Sequence, residues 1–314
     1  MKLNCQSAGM SYPMIGILSV LVGIGSLLGI FSTVTLAQTT ASPPAYTPAY
    51  YVYATTNFSS LGANQVVGSG AVILDFGEPY ISNGVYGTMN FSNIFMSDAT
   101  IQADVQQYIN SYNTNHTSNM LVMVGTSNYN LDSWNSSQIV EMASGWDTLL
   151  GGLNGGSHVG VAAASDIEGS YSLPGNALSW DSEFSTLNTY LVYDFGNAAL
   201  TNTWDIADYY QVAWGYLDSY AFPQIYSDED SDESGYDEVP PAGTNTCLEW
   251  QQVSAWGFSN GDFGSIYFSG VLDEYPTVPY VDDVNSGEPV TNFLNVLNSS
   301  TETSQYDIAY FDNI

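Results

Sequence analysis

Acidic side chains stand where three short apolar runs of this sequence end. Asp75 and Glu78 follow the first run, in LDFGEPY, and Asp194 closes a later run, in YLVYDFG. Asp166 and Glu168 follow a third run, in AASDIEGSY. Two carboxyls can together hydrolyse a glycosidic bond, because one protonates the leaving oxygen while the other acts as nucleophile or base. The pattern therefore indicates carboxyl acid–base chemistry.

The D-x-E spacing of Asp166 and Glu168 has a geometric meaning if a strand continues through both residues. Side chains two positions apart on a strand point to the same side, so the two carboxyls are expected about 6–7 Å apart on one wall of a pocket. We predict Glu168 as the general acid, with Asp166 and Asp75 stabilising positive charge on the sugar. The simpler alternative is that such acids cap a helix or bind loop amides.

Strands and helices must alternate along the chain to position these acids. Most of the apolar runs lack polar residues on either face, which is typical of parallel strands covered on both sides. The predicted strands are Ala71–Phe76, Val85–Met89, Met120–Gly125, His158–Ala164, Tyr190–Asp194, Tyr210–Trp214, Pro223–Tyr226 and Ser265–Ser269. The predicted helices, with apolar residues at helical spacing, are Thr100–Tyr112, Ser137–Leu153, Trp180–Thr189 and Thr246–Ala255.

Eight strands alternating with helices predict an α/β fold, a (β/α)8 TIM-like barrel, in a single domain over residues 51–314. An open doubly wound sheet is the alternative. The carboxyl ends of barrel strands form the active face, so Asp75, Asp166, Glu168 and Asp194 are expected to converge there. The acidic run 227–241 is predicted to be an inserted loop, solvated or calcium-binding, although its spacing is not that of an EF-hand.

Basic residues are almost absent. The only Lys or Arg is Lys2, against 32 Asp and Glu, which gives a formal net charge of −31 at pH 7. In strong acid the carboxylates lose their charge, and a chain without bases then develops no self-repulsion. The composition therefore indicates an acidic exterior, with an acidic protein of a neutral habitat as the alternative. Nucleic acid and anionic lipid surfaces are excluded as partners, because nothing neutralises phosphate.

The N-terminus predicts export. Residues 1–37 contain Lys2 and then an uncharged stretch, Met14–Leu36, which is long enough to span a bilayer. A cleaved signal peptide and a retained membrane anchor both remain open, and membrane contact is expected only through this segment. A Pro/Thr/Ser linker follows at 38–50. Sequons for N-glycosylation, which fit a glycoprotein outside the cell, occur at Asn57, Asn90, Asn115, Asn135 and Asn298.

The order of short motifs resembles a known group of proteins. VILDFGEPY, GTSNYN, AASDIEG, YDFGNA, VAWGYLDSYAFPQIYS and WQQVSAWGF are similar to segments of the glycoside hydrolase-like TIM-barrel domains of bacterial secreted proteins. Those domains are distantly similar to the lysozyme-like glycoside hydrolase family 25. The resemblance covers roughly residues 66–275. It implies a barrel fold and places the family's D-x-E at Asp166 and Glu168 and its first-strand Asp at Asp75.

These observations leave two functional hypotheses. The first is an exported, acid-adapted, glycoside hydrolase-like protein that acts on or binds polysaccharide or cell-wall glycan. Its catalytic residues would be Glu168, Asp166 and Asp75. The residues expected to bind the substrate are Glu78, Asp194, Trp214 and Tyr226. The second hypothesis is a non-catalytic, glycosylated cell-surface or surface-layer protein. No cofactor and no metal site are predicted, since only two His are present and they lie far apart. The oligomeric state is left open.

Overall fold

The computed structural model of the protein describes residues 49–65, 70–187, 189–198, 200, 203–226, 246–268, 270–274, 288–305 and 309–312. The predicted leader, residues 38–48 of the predicted linker and the acidic run 227–241 lie outside these residues. Among the residues described, no helix is long and apolar enough to cross a membrane. The transmembrane prediction therefore finds no helix to support it in this part of the chain.

Strands and helices alternate over much of the chain. The strands are β1 (Ala49–Tyr51), β2 (Ala71–Asp75), β3 (Glu78–Ser82), β4 (Val85–Met89), β5 (Phe95–Ser97), β6 (Met120–Ser127), β7 (Val159–Asp166), β8 (Val192–Asp194), β9 (Ser219–Ala221), β10 (Gln224–Tyr226), β11 (Gly270–Glu274) and β12 (Ala309–Asp312). The helices are α1 (Phe58–Asn64), α2 (Asp98–Asn115), α3 (Ser136–Gly151), α4 (Pro174–Leu187), α5 (Ile206–Trp214), α6 (Thr246–Asn260) and α7 (Glu288–Asn298).

The strands form three sheets. The largest is parallel, with six strands in the order β1-β2-β6-β7-β8-β9. A second sheet, β10-β11-β12, is also parallel, and a third, β3-β4-β5, is antiparallel. The strands of the large sheet lie in chain order, without the reversal that defines a doubly wound sheet.

The predicted eight-stranded barrel is wrong, because no strand pairing among the described residues closes the six-stranded sheet on itself. Three strand predictions explain the error. Tyr210–Trp214 is the end of α5, a helix that starts at the capping box of Asp205 and Asp208. Residues 265–268 contain no strand. Val85–Met89 is a strand, but it pairs antiparallel with β3 and β5, outside the large sheet.

The predicted helices are confirmed, and local sequence explains where two of them start. The side chain of Ser97 caps α2 by accepting a hydrogen bond from the Thr100 N–H at 3.2 Å. Asn135 and Gln138 form a capping box at the start of α3. Both helices bury residues at helical spacing against the sheet. The buried residues of α2 are Ile101, Val105, Tyr108, Ile109 and Tyr112.

Alternate residues of the six-stranded sheet face two different cores. One face, here called the helix-covered face, contributes Leu74, Val124 and Val192 to a large cluster with the buried residues of the helices. The other, here called the opposite face, holds a smaller cluster. Its members are Ala49, Ala71, Ile73, Met123, Ala162, Ala164, Phe195 and Phe222. Because side chains alternate along a strand, this division fixes the face of every strand-end acid.

Candidate active site at the carboxyl end of the parallel sheet

Asp75 ends β2 on the opposite face, in the alternation of Ala71 and Ile73. Its side chain is 1% exposed, and its Oδ1 accepts a hydrogen bond from the N–H of Gly77 at 2.9 Å. Its Oδ2 is buried without a hydrogen-bond partner. Burial raises the pKa of Asp75 from 3.8 to about 7, against the smaller lowering effect of the Gly77 hydrogen bond. Asp75 is therefore a proton-bearing acid throughout the acidic range.

Asp166 ends β7 on the same opposite face, in the alternation of Ala162 and Ala164. It is 5% exposed and accepts a long hydrogen bond, 3.4 Å, from Nε2 of Gln224 on β10. A second-sheet residue thus reaches the end of the six-stranded sheet. An amide donor stabilises an ionised carboxylate more than a neutral one.

The spacing of Asp75 and Asp166 follows from the strand register. Asp75 pairs with Gly125 of β6, while Asp166 pairs with Ser127, two residues farther along β6. Two strand spacings and two residues place the Cα atoms about 11–12 Å apart in an ideal sheet. Gly125 lies between the two acids and contributes no side chain. A Cβ there would lie 3.3 Å from Cε1 of Phe195, whose ring covers this position.

Glu168 lies beyond β7, in the loop that leads to α4. The side-chain amide of Asn128 makes two hydrogen bonds to the backbone of this loop. Its Oδ1 accepts a hydrogen bond from the Glu168 N–H, and its Nδ2 donates one to the Glu168 carbonyl, each at 3.0 Å. The strand ends at Asp166, so the two-residue period no longer relates the side chains of Asp166 and Glu168. The charge of Glu168 contributes to raising the pKa of Asp194. The general-acid role of Glu168 stays a prediction.

Glu78 lies at the start of β3, at the rim of this edge of the sheet. Its Oε2 accepts a hydrogen bond from Nδ2 of Asn130 at 2.9 Å, and burial raises its pKa. Tyr129, which precedes Asn130 in the chain and is 45% exposed, contacts Tyr171 edge to face with ring centroids 5.4 Å apart. Exposed Tyr rings present an apolar face and a polar edge, which suits contact with a sugar.

Asp194 ends β8 on the helix-covered face, in the alternation of Val192. Asp194 therefore lies on the other side of the sheet from Asp75 and Asp166. Burial raises the pKa of Asp194 to about 7. Burial raises the pKa of Asp181 on α4 well above its usual value, and the charges of Asp194 and Asp218 add to this. A role for Asp194 in binding substrate stays a prediction, but it does not share a face with the other two strand-end acids.

The two predicted aromatic contacts fall on different elements. Trp214 lies at the end of α5, and its ring contacts Tyr220 edge to face at 5.7 Å. Tyr226 ends β10, where it pairs with Glu274 of β11. Their roles in binding substrate stay predictions.

Several residues that shape these sites were missed at the sequence level. Gln224 was within a predicted strand, and a polar residue among buried ones was the available signal. Asp181 lies inside a helical pattern and Asp218 in a loop, so neither carried a strand-end signal. Within the described part of the chain, no group of three or more His, Cys, Asp or Glu is arranged to hold a metal ion.

The sequons differ in accessibility. Asn57, Asn115, Asn135 and Asn298 are exposed. Asn90 is 4% exposed, and its Oδ1 accepts hydrogen bonds from the N–H groups of Ser92 and Ile94, each at 3.0 Å. The Asn90 side chain thus builds a turn and is not available to carry a glycan in the folded protein.

Comparison with known proteins assigns no family. The sequence matches no family model and no curated protein. Among solved structures, that of a conserved exported protein from Bacteroides fragilis is similar with a TM-score of 0.36 and 12% sequence identity, over 85% of this chain and 68% of that chain. That level of similarity is too low to assign a fold or a function to this chain.

Proposed function

We propose that this protein is exported and acts on polysaccharide in an acidic exterior, through the two buried carboxyls at the carboxyl end of its parallel sheet. The observation that carries the proposal is the placement of Asp75 and Asp166 on one face, with Gly125 between them. In this proposal Asp75 takes the proton-donor role in place of Glu168, since its raised pKa keeps it protonated in acid and its Oδ2 is not committed to another group. Asp166 is the second carboxyl of the pair, and it accepts a hydrogen bond from Gln224.

The separation of the two acids bears on the stereochemistry. The Cα atoms of Asp75 and Asp166 are about 11–12 Å apart in an ideal sheet, and the distance between the carboxyl groups depends on how the two side chains lean. Inverting glycosidases hold their carboxyls about 6.5–9.5 Å apart to leave room for a water molecule, whereas retaining enzymes need about 5–5.5 Å. The anomer formed first therefore reports how far apart the two carboxyls work.

The amino-acid composition supports the acidic exterior in this proposal. A chain with no Lys or Arg after Lys2 gains no net positive charge of consequence as its carboxylates are protonated. A working pH below the raised pKa of Asp75 keeps that group in its acid form.

Asp75→Asn and Asp166→Asn test the proposal against Asp262→Asn, which changes an exposed carboxyl elsewhere in the same way. Sugar release from neutral polysaccharides is measured at pH 2–6, and proton NMR gives the anomer formed first. Each site variant is expected to lose about 10²–10⁴-fold in rate, and Asp262→Asn to keep the wild-type rate. Equal rates for all four proteins would contradict the proposed pair.

A non-catalytic glycan-binding protein is the second candidate, favoured by the low exposure of Asp75 and Asp166, 1% and 5%. It predicts binding of a glycan without sugar release at any pH, with binding unchanged in both site variants.

A further inference from the structure

Three aromatic rings form a continuous row at the edge of the six-stranded sheet. Tyr51 of β1 contacts Phe91 with ring centroids 4.3 Å apart, and Phe91 contacts Tyr53 at 5.9 Å. Tyr51 is half-buried, while Phe91 is 40% and Tyr53 47% exposed. The row, here called the aromatic row, thus passes from partly covered to open surface.

The inner end of the aromatic row lies beside the proposed proton donor. Tyr51 pairs with Asp75 in the parallel register of β1 and β2. Tyr51 also shares the alternation of Ala49, which belongs to the opposite face. Its side chain and that of Asp75 are therefore neighbours on the same face of the sheet.

Hydrogen bonds hold the aromatic row in place. The Phe91 N–H donates to the Val52 carbonyl at 3.1 Å, and the Ala54 N–H donates to Oγ of Ser92 at 3.0 Å. The buried Asn90 side chain closes the turn that carries Phe91, as described above. Exposed rings on such a locked turn lose little conformational entropy when a ligand binds.

Tyr53 also borders a groove of about 540 Å³. Polar side chains suited to hydroxyl groups line much of it, among them Thr56, Asn57, Thr100 and Gln107. No Lys or Arg follows Lys2, so this surface offers no partner to a sulfated or carboxylated sugar. Rings beside hydroxyl and amide groups, without basic charge, match an uncharged sugar chain.

We propose that the aromatic row is a sugar-stacking subsite for an uncharged polysaccharide, which directs one end of the bound chain toward Asp75. This inference rests on the proposed function and specifies its substrate class. Sugar rings stack on Phe91 and Tyr53, and the next ring reaches Tyr51 beside the acid. Phe91 and Tyr53 are thus binding residues, without a part in proton transfer.

Phe91→Ala tests the subsite, with Phe258→Ala as the matched control because Phe258 is an exposed ring, 56%, on α6. Asn57 is a sequon residue in the groove, so the protein is made without N-glycans. Isothermal titration at about pH 5, where sugar carboxylates are ionised, uses cellohexaose, chitohexaose, maltohexaose and, as the charged probe, hexagalacturonate. Circular dichroism and analytical ultracentrifugation check folding and self-association. Asp75→Asn is titrated alongside.

The wild type is expected to bind a neutral hexasaccharide more tightly than the charged one. Phe91→Ala should weaken that binding about tenfold or more, because the sugar can no longer cover the apolar surface of the Phe91 ring. Phe258→Ala should change the affinity less than about twofold. Asp75→Asn should still bind. Equal affinities for Phe91→Ala and Phe258→Ala, or no binding of any neutral probe, overturn the subsite. So does a dimer that Phe91→Ala abolishes, since the row is then a contact between two copies.

The same set separates the two proposals. Sugar release that depends on Asp75 and Asp166 but not on Phe91 retains the proposed function and rejects the subsite. Binding that depends on Phe91, without any sugar release, retains the subsite and rejects the enzymatic role.

Discussion

The tripeptide Asp-Phe-Gly occurs at the ends of two strands, at residues 75–77, where Asp75 ends β2, and at residues 194–196, where Asp194 ends β8. The two copies share one local hydrogen bond, although only the first has its glycine at a positive φ, +85°. In each, the Asp Oδ1 accepts a hydrogen bond from the Gly N–H, at 2.9 Å in the first and 3.2 Å in the second. Each Asp is 1% exposed, and burial raises the pKa of each to about 7.

The two copies differ in the face of the sheet on which the Asp side chain lies. In the first, Asp75 lies on the opposite face and Phe76 packs into the helix-covered core. In the second the assignment is exchanged, with Phe195 on the opposite face and Asp194 under the helices. One motif with one shared hydrogen bond therefore occurs in two surroundings, and the surroundings decide what each acid can do.

On the opposite face, Asp75 accepts a hydrogen bond from the Gly77 N–H, and Asp166 accepts one from the Gln224 side chain. On the helix-covered face, Asp181 and Asp218 are 1% and 4% exposed, and neither carboxyl oxygen of either residue has a hydrogen-bond partner. Buried carboxyls without donors or cations are tolerated best as neutral acids. The first face is suited to proton transfer, and on the second face Asp181 is favoured in its protonated form, because burial raises its pKa well above the usual value.

The largest expected effect concerns the pH dependence of folding. A carboxyl with a higher pKa in the folded than in the unfolded state binds more protons when folded, so stability is greatest below about pH 4 and falls as pH rises to about 7. A rise from 3.8 to about 7, as for Asp75 and Asp194, corresponds to about 4 kcal/mol per group. We expect the melting temperature to drop by about 10 °C or more between pH 4 and pH 7.

Thermal unfolding followed by circular dichroism over pH 2–8 measures this dependence. A melting temperature that is constant, or that rises toward neutral pH, would show that the buried acids of both faces ionise without destabilising the fold. The comparison of the two faces would then have no energetic basis.

Asp181→Asn separates the two faces. Asn resembles the protonated acid but cannot ionise, so the variant should match the wild type within about 0.5 kcal/mol at pH 3. At pH 7 it should be more stable than the wild type by about 2 kcal/mol or more, since the wild-type carboxyl must take up a proton to be buried as a neutral acid and Asn needs none. Asp262→Asn makes the same change at an exposed position and should alter stability little at either pH. Urea unfolding at both pH values compares the three proteins, and equal shifts at pH 3 and pH 7 would contradict an ionisation effect.

The sequence predicts part of this arrangement. The apolar runs of β2, β6, β7 and β8 were predicted as strands, and Asp75, Asp166 and Asp194 were correctly placed at strand ends. Alternation within each strand was also available, since Asp75 follows the alternation of Ile73. The sequence does not predict which of the two sets of alternating side chains faces which core. These strands are apolar on both faces, so neither set is marked as buried or exposed.

The failure of the barrel prediction has a related physical cause. The run YYQVAW is as apolar as a buried strand, and short apolar runs do not separate strand from buried helix. Asp205, with Asp208 three residues later, was the local sign of a helix start. The partner of Asp166 was hidden for another reason, since Gln224 lies 58 residues away in the chain and only tertiary structure joins them.

Gln224→Leu is expected to have the smallest effect, and it tests whether the donor on the opposite face matters. Leu keeps the bulk of the buried side chain but removes the amide that donates to Asp166 at 3.4 Å. A long hydrogen bond contributes about 1 kcal/mol, and an amide donates more strongly to an ionised carboxylate, so the loss should be larger at pH 7 than at pH 3.

Gln107→Leu is the matched control, because Gln107 donates to Asp104 at 3.1 Å on the exposed surface of α2, where the change should stay within about 0.5 kcal/mol. Urea unfolding at pH 3 and pH 7 measures both variants. If Gln224→Leu behaves as Gln107→Leu does, the amide does not support Asp166, and the opposite face holds its acids no differently from the helix-covered face.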